Sequence, residues 1–205
     1  MTTILVAHPH FMYPGGASNA VLETMRHLAE LGYTVHIVSI RQPSNLAQRF
    51  PTLYFHLLGG ALSSDIRYWL NLSRLQRRFN AVVDSLDPDF LIASVFPANY
   101  WAFLYRRSNK AVPCIWYCQE PSAFIHDRAV IAGTPGLMRM MVLLANPPLQ
   151  LIDRWLARYA DVITANSKYS AGRIYTVYGR EASVIRLGVD VPPSNPVHAL
   201  SLIHI

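Results

Sequence analysis

Short runs of β-branched and aromatic residues recur along this chain, separated by amphipathic stretches of helical spacing. No other feature limits the fold as tightly. Strands that alternate with helices must pair in parallel and be covered on both faces. Thr3–His8 (TILVAH) is near-continuously apolar, as a strand buried on both sides should be. Ala17–Leu31 follows, with Val21, Leu22, Met25, Leu28, Ala29 and Leu31 near helical spacing and Gly32 as a stop. Thr34–Ile40 and Thr52–Leu58 read as the second and third strands. Ser63–Leu86 reads as one long helix or two, ended by Pro88. Asp89–Val95 and Val112–Tyr117 are strands on either side of a helix at Ala98–Arg107. Gly136–Tyr159 reads as helical, kinked or split at Pro147-Pro148. Asp161–Thr164, a helix at Lys168–Tyr178 and a last strand at Ser183–Arg186 complete the pattern. The alternation predicts a doubly wound, mostly parallel α/β sheet with helices on both faces.

The composition can fill such a core. Of 205 residues, 52% are hydrophobic and only 15% charged, which excludes a disordered chain. The length fits one large domain or two small ones. Lys and Arg total 18 against 12 Asp and Glu, a formal charge of +6, with a pI near 9.5. That balance favours phosphates, sugar nucleotides, acidic lipid surfaces or nucleic acid. Nucleic acid is the weakest of these, because the arginines lack interleaved aromatics on a recognisable reader motif. Cys114 and Cys118 exclude a disulfide framework and lack zinc-site spacing, and the 8 histidines are scattered, so no metal is expected. So few cysteines fit a reducing cytoplasm. The uncharged first 22 residues lack a basic start and are interrupted by His8-Pro9-His10 and Pro14-Gly15-Gly16, unlike a signal peptide. Phe90–Tyr105 is uncharged but holds Pro97 and Asn99, and is shorter than the ~20 residues needed to span a bilayer. A soluble protein is expected.

In a doubly wound sheet, ligands collect at the carboxyl ends of the strands. The first such loop carries Gly15 and Gly16 just before a helix, where bare backbone and free N–H groups suit an anion; the plainer reading is a turn plus cap. The dinucleotide fingerprint G-x-G-x-x-G is absent, and the second strand ends before Arg41 rather than an acid. Arg41 would suit a 2′-phosphate, which keeps an NADP-type fold as an alternative. The loop after the fifth strand holds Gln119, Glu120, His126 and Asp127. Gln119 offers donor and acceptor to sugar hydroxyls, and Glu120 could accept from them, act as a base, or simply cap the next helix. After Thr164, Asn166 or Ser167 is a natural N-cap, with Lys168 beside it. Arg67, Arg74, Arg77 and Arg78 share a helical stretch with Trp69, Leu70, Leu72, Leu75 and Phe79. That pattern fits either a helix lying on anionic lipid or solvated arginines beside a core stripe.

Three segments in order resemble the N-terminal domain of the family-4 retaining glycosyltransferases, enzymes of two-Rossmann GT-B architecture. They are residues 14–38 (PGGASNAVLETMRHLAELGYTVHIV), residues 116–121 (WYCQEP), and residues 162–171 (VITANSKYSA) with 184–190 (VIRLGVD). The resemblance implies a Rossmann-like domain that holds the acceptor. The enzyme would move a sugar from a nucleotide-sugar donor to an acceptor hydroxyl with retention, in glycan or glycolipid biosynthesis, needing no metal or cofactor. It implies that Gly15 and Gly16 lie near the donor diphosphate, that Gln119 and Glu120 meet the acceptor, and that Ser167, Arg186 and Gly188 line the cleft. It also implies a sugar or lipid-linked acceptor and peripheral contact with an anionic membrane, on its inner face.

Two departures qualify the resemblance. Many relatives carry His where this chain has Gln119, and an amide cannot serve as a base. Relatives also hold the donor on a C-terminal domain bearing two glutamates seven residues apart, whereas Glu23, Glu30, Glu120 and Glu181 make no such pair. The expectation is therefore an acceptor-binding domain over 1–190 and the start of a linker, or a non-native tail, over 191–205. The donor-binding domain would be absent and the fragment inactive by itself. A non-enzymatic membrane-surface module is the remaining alternative.

Overall fold

A computed structural model describes residues 1–13, 15–109, 111–133, 136–186 and 188. The strands are β1 (Thr3–Ala7), β2 (Thr34–Ser39), β3 (Tyr54–Leu57), β4 (Phe90–Ala93), β5 (Cys114–Cys118), β6 (Val162–Ala165) and β7 (Ser183–Val184). They form one parallel sheet in the order β3-β2-β1-β4-β5-β6-β7. The helices are α1 (Gly16–Glu30), α2 (Leu46–Arg49), α3 (Ile66–Leu70), α4 (Leu72–Leu86), α5 (Ala98–Ser108), α6 (Ala123–His126), α7 (Arg128–Ala132), α8 (Gly136–Ala157) and α9 (Lys168–Tyr178). This is the doubly wound, Rossmann-like arrangement expected from the alternation, with the strand order reversing between β1 and β4.

The apolar strands divide their side chains between two cores. Ile4, Val6, Val35, Ile37 and Ile92 pack with Val21, Leu22 and Met25 of α1. Leu5, Ala7, Val38, Leu91, Ala93, Trp116 and Ile163 face Phe79, Val83, Trp101, Phe103 and Ile174 of α4, α5 and α9. Period-two alternation within a continuous apolar run lets one strand serve both faces. Cys114 and Cys118, at the two ends of β5, are free and buried. Burial pushes the Cys114 thiol up to about 12 and raises the Cys118 thiol as well.

The stretch read as one helix or two is two. Asn71 ends α3 and precedes α4, and its side-chain amide donates to the Arg67 carbonyl at 2.8 Å. Of the kink or split expected at Pro147-Pro148, the split does not occur, and α8 runs through both prolines. Each proline deprives a carbonyl four residues back of its donor. Here those carbonyls belong to Leu143 and Leu144, both exposed, where water can satisfy them. The short helices α2, α6 and α7 lie in stretches read as loops. The expected linker or tail, 191–205, lies outside the described residues.

Candidate functional site

The strand order reverses between β1 and β4, and the loops that leave the carboxyl ends of β1, β4 and β5 lie side by side there. Loop one starts at His8, which is 1% exposed. The Ser94 hydroxyl donates to the Ala7 carbonyl at 2.6 Å, so it accepts from His8 Nδ1 at 2.9 Å. That leaves His8 Nε2 to accept from the Ser18 hydroxyl at 3.2 Å. Burial first, and then neighbouring His10, lower the His8 pKa to about 3. The ring is therefore neutral, a fixed strut between β1, β4 and the first turn of α1.

Gly15 is the residue before α1. It is extended (φ −164°), and among the described residues no side chain caps the helix. Gly15 and Gly16 are exposed, and a Cβ added to either would meet nothing within 4 Å. The fold itself could therefore accept alanine at both positions. The first-turn N–H groups and the positive end of the helix dipole face open space, which suits an anion. Gln119, just past β5, closes over this turn, and its Nε2 donates to the Ala17 carbonyl at 3.1 Å.

Beside Gln119 lies a hollow of about 240 Å³, lined among others by Ser94, Asn99, Gln119, Glu120, Asp153 and Tyr178. Asn99 is 3% exposed, yet its Oδ1 has no partner among the described residues. An orphaned acceptor in a polar hollow leaves room for a hydroxyl or a water. Glu120 is exposed at the rim. Asp153, 1% exposed, accepts from Tyr100 at 2.7 Å, Tyr178 at 2.8 Å and His126 Nε2 at 2.6 Å. Burial and the adjacent carboxylate raise the pKa of both tyrosines. They stay protonated and keep donating.

Ser167 is the N-cap of α9, its Oγ accepting from Ser170 N at 3.1 Å. Asn166 instead accepts from the Ser170 hydroxyl at 2.8 Å. Arg186 and Gly188 follow β7, both exposed. The structure thus brings Gly15, Gly16, Gln119 and Glu120 to one place. Ser167, Arg186 and Gly188 stand at the same sheet edge, beyond β6 and β7, without a bond to the others among the described residues. Asp127 accepts from Ala129 N at 2.8 Å and caps α7. Among the described residues no group of three or more His, Cys, Asp or Glu could hold a metal ion. No described helix is long and apolar enough to cross a membrane.

The family model described as Glycosyltransferase Family 4 matches residues 14–192, from the glycine loop to past β7. The chain belongs to glycosyltransferase family 4. No curated protein sequence matches it significantly. Solved structures do match in fold. Sucrose-phosphate synthase from Thermosynechococcus elongatus has a TM-score of 0.65 at 13% identity, covering 92% of this chain and 49% of that one. The lipopolysaccharide outer core galactosyltransferase WaaB, in its apo form, has a TM-score of 0.61 at 11% identity, covering 97% and 50%. Anabaena HepE, in complex with UDP and glucose, has a TM-score of 0.59 at 16% identity, covering 93% and 45%. This family-4 chain spans about half the length of the structures it matches.

Sequence reasoning misses Asn99, Tyr178 and Asp153 at this candidate site, and Asp153 matters most because it binds three side chains. Its signal is faint: it is the sole acid between Asp127 and Asp161, in an otherwise apolar and basic stretch. The basic amphipathic helix also resolves. Leu75 and Phe79 are buried in the core with Val83, whereas Trp69 and Leu70 of the same stretch are exposed. Arg74, Arg77 and Arg78 remain exposed.

Proposed function

We propose that this chain is the acceptor-side domain of a retaining glycosyltransferase that moves a sugar from a nucleotide sugar to an acceptor hydroxyl. The reading rests on the Gln119–Ala17 hydrogen bond. It sets the uncapped start of α1 and the Glu120 hollow side by side, as transfer between a diphosphate and a hydroxyl requires. In the reaction the bond from the anomeric carbon to the diphosphate oxygen breaks, and the bond to the acceptor oxygen forms. The nucleoside diphosphate leaves, and the hydroxyl proton passes to a diphosphate oxygen or to solvent. Negative charge grows on the leaving diphosphate, where the N–H groups near Gly15 and Gly16 would stabilise it. Gln119 and Glu120 would hold the acceptor, while Ser167, Arg186 and Gly188 would close the far side of the cleft. Gln119 has no proton to exchange and takes the part of a hydrogen-bonding group, not a base. The complex of HepE with UDP and glucose supports a nucleotide-sugar donor.

The test is turnover by the protein as its cell makes it. Nucleotide sugars are offered with sugar and lipid-linked acceptors, and nucleoside diphosphate release is read. Acceptor-dependent release that falls at least about 10-fold in Q119A and E120A upholds the proposal. Tight NADPH binding without any release would overturn it in favour of the nucleotide-fold alternative.

A further inference from the structure

A second hollow, of about 360 Å³, opens where β2 and β3 end, on the side of loop one away from Glu120. Four arginines line it: Arg41 after β2, Arg67 on α3, and Arg74 and Arg78 on α4. No carboxylate lines it among the described residues. Asp65, beside it, is bound to Arg67 at 2.6 Å and so neutralises one guanidinium of the four. The Arg74 side chain makes no hydrogen bond or ion pair among the described residues.

Two of these side chains are aimed by the backbone. Arg41 Nε donates to the Gly60 carbonyl at 2.9 Å, and Arg78 Nη1 donates to the Leu58 carbonyl at 2.7 Å. Among the described residues each keeps other N–H groups of its fork free, in a geometry that matches phosphate oxygens. Between them Gly59 and Gly60 turn in the left-handed region, at φ 66° and 117°, a conformation an L side chain rarely adopts. The turn carries the Leu58 and Gly60 carbonyls that hold the two guanidinium groups. Arg41 is also bridged to His10, which ties the hollow to the loop that carries Gly15.

Like charges gathered around one concavity repel unless an anion joins them. We infer that this hollow binds a phosphate or diphosphate group of the acceptor. The word acceptor rests on the transferase reading above, whereas the anion rests on the arginines alone. An acceptor anchored here would reach past loop one towards Gln119 with its hydroxyl.

Inorganic pyrophosphate is the probe, titrated calorimetrically into the 205-residue chain. R74A, R78K, the double variant and G16A are compared, with melting curves as folding controls. R78K keeps a charge near the Leu58 carbonyl while losing the fork, and Arg74 holds nothing in the fold, so both variants should fold. Weakening of about 10-fold or more in R74A, and further in the double variant, upholds the pocket. Absence of pyrophosphate binding in the wild-type chain would overturn it. So would binding that the arginine variants leave intact; if G16A alone weakens it, the anion sits at α1 and the transferase reading survives. Arginine-dependent pyrophosphate binding in a protein without any turnover would keep the pocket and sink the transferase reading. Phosphatidylcholine vesicles with and without phosphatidylglycerol identify the source of the phosphate. Arginine-dependent sedimentation with the anionic vesicles assigns it to a lipid headgroup. No sedimentation, with pyrophosphate binding intact, assigns it to a soluble acceptor. Both results uphold the pocket.

Discussion

The Gln119 side chain holds the Ala17 carbonyl across 102 residues of sequence, at 3.1 Å. One amide thus joins the loop after β5 to the first turn of α1. Replacing it with alanine should cost about 1 kcal/mol of stability, read as a lower urea midpoint with an unchanged slope. The loss in turnover should be larger than that, because the loop would no longer be fixed beside α1. Q119H, which restores a ring N–H donor, should recover part of the rate; no recovery would mean that the amide contacts the acceptor in a way a ring cannot.

Gly16 offers the opposite dissociation. Its added Cβ meets nothing, and alanine is the better helix former. G16A should therefore melt at the same temperature or slightly higher, gaining up to ~1 kcal/mol. If the bare backbone serves a diphosphate, donor affinity or turnover should nevertheless fall. Unchanged kinetics would leave the glycine as a turn residue only.

His8 makes the fold sensitive to acid. Its native pKa of about 3 lies below the ordinary 6.5, so the unfolded chain takes up a proton that the native state refuses. Stability is full above pH 6.5 and is lost as pH falls from there towards 3, by up to ~1.4 kcal/mol per pH unit. His10, His36 and His56 are lowered in the same direction, chiefly by burial. Urea unfolding at pH 7.5, 6 and 5 should show a shallower acid loss in H8N than in the wild-type chain. Parallel curves would refute the assignment.

Asp153 is the anchor of α5, α6 and α9 on α8. Substitution by alanine leaves Tyr100, Tyr178 and His126 without their acceptor and should cost about 3–5 kcal/mol, through loss of the buried charge and its hydrogen bonds. Y100F and Y178F should cost about 1–3 kcal/mol each. In a double-mutant cycle each tyrosine change should add little to D153A, because its partner is already gone. Full additivity would mean that the network is not coupled.

The fold was legible because parallel strands buried on both faces are almost purely apolar, and TILVAH can be little else. Strand ends were less so. His8 follows its strand because Ser94 and Ser18 capture its ring, which TILVAH alone does not reveal. Gln119 and Glu120 could be found from their place after β5, yet the carbonyl that Gln119 holds lies 102 residues away. Asp153 has only a faint local pattern, since its meaning comes from Tyr100, His126 and Tyr178 on three other elements. The arginine hollow was half visible as a basic helix. Its other half, Arg41 and the Gly59-Gly60 turn, joins only when β2 and β3 pair.

The strand order also sets a timetable for synthesis. β1 finds its second neighbour only in β4, and Thr3 N waits for Asp89 to accept from it at 2.7 Å, 86 residues later. Gln119 emerges later still. On a ribosome that makes about 5–20 residues per second, the glycine loop is exposed for seconds before its partners arrive. Throughout that interval the growing chain has apolar strands and an unpaired sheet edge, and the start of α1 lacks the Gln119 contact. Until β5 has emerged and docked, the nascent protein is open to chaperones and proteases, and its candidate site is still unformed.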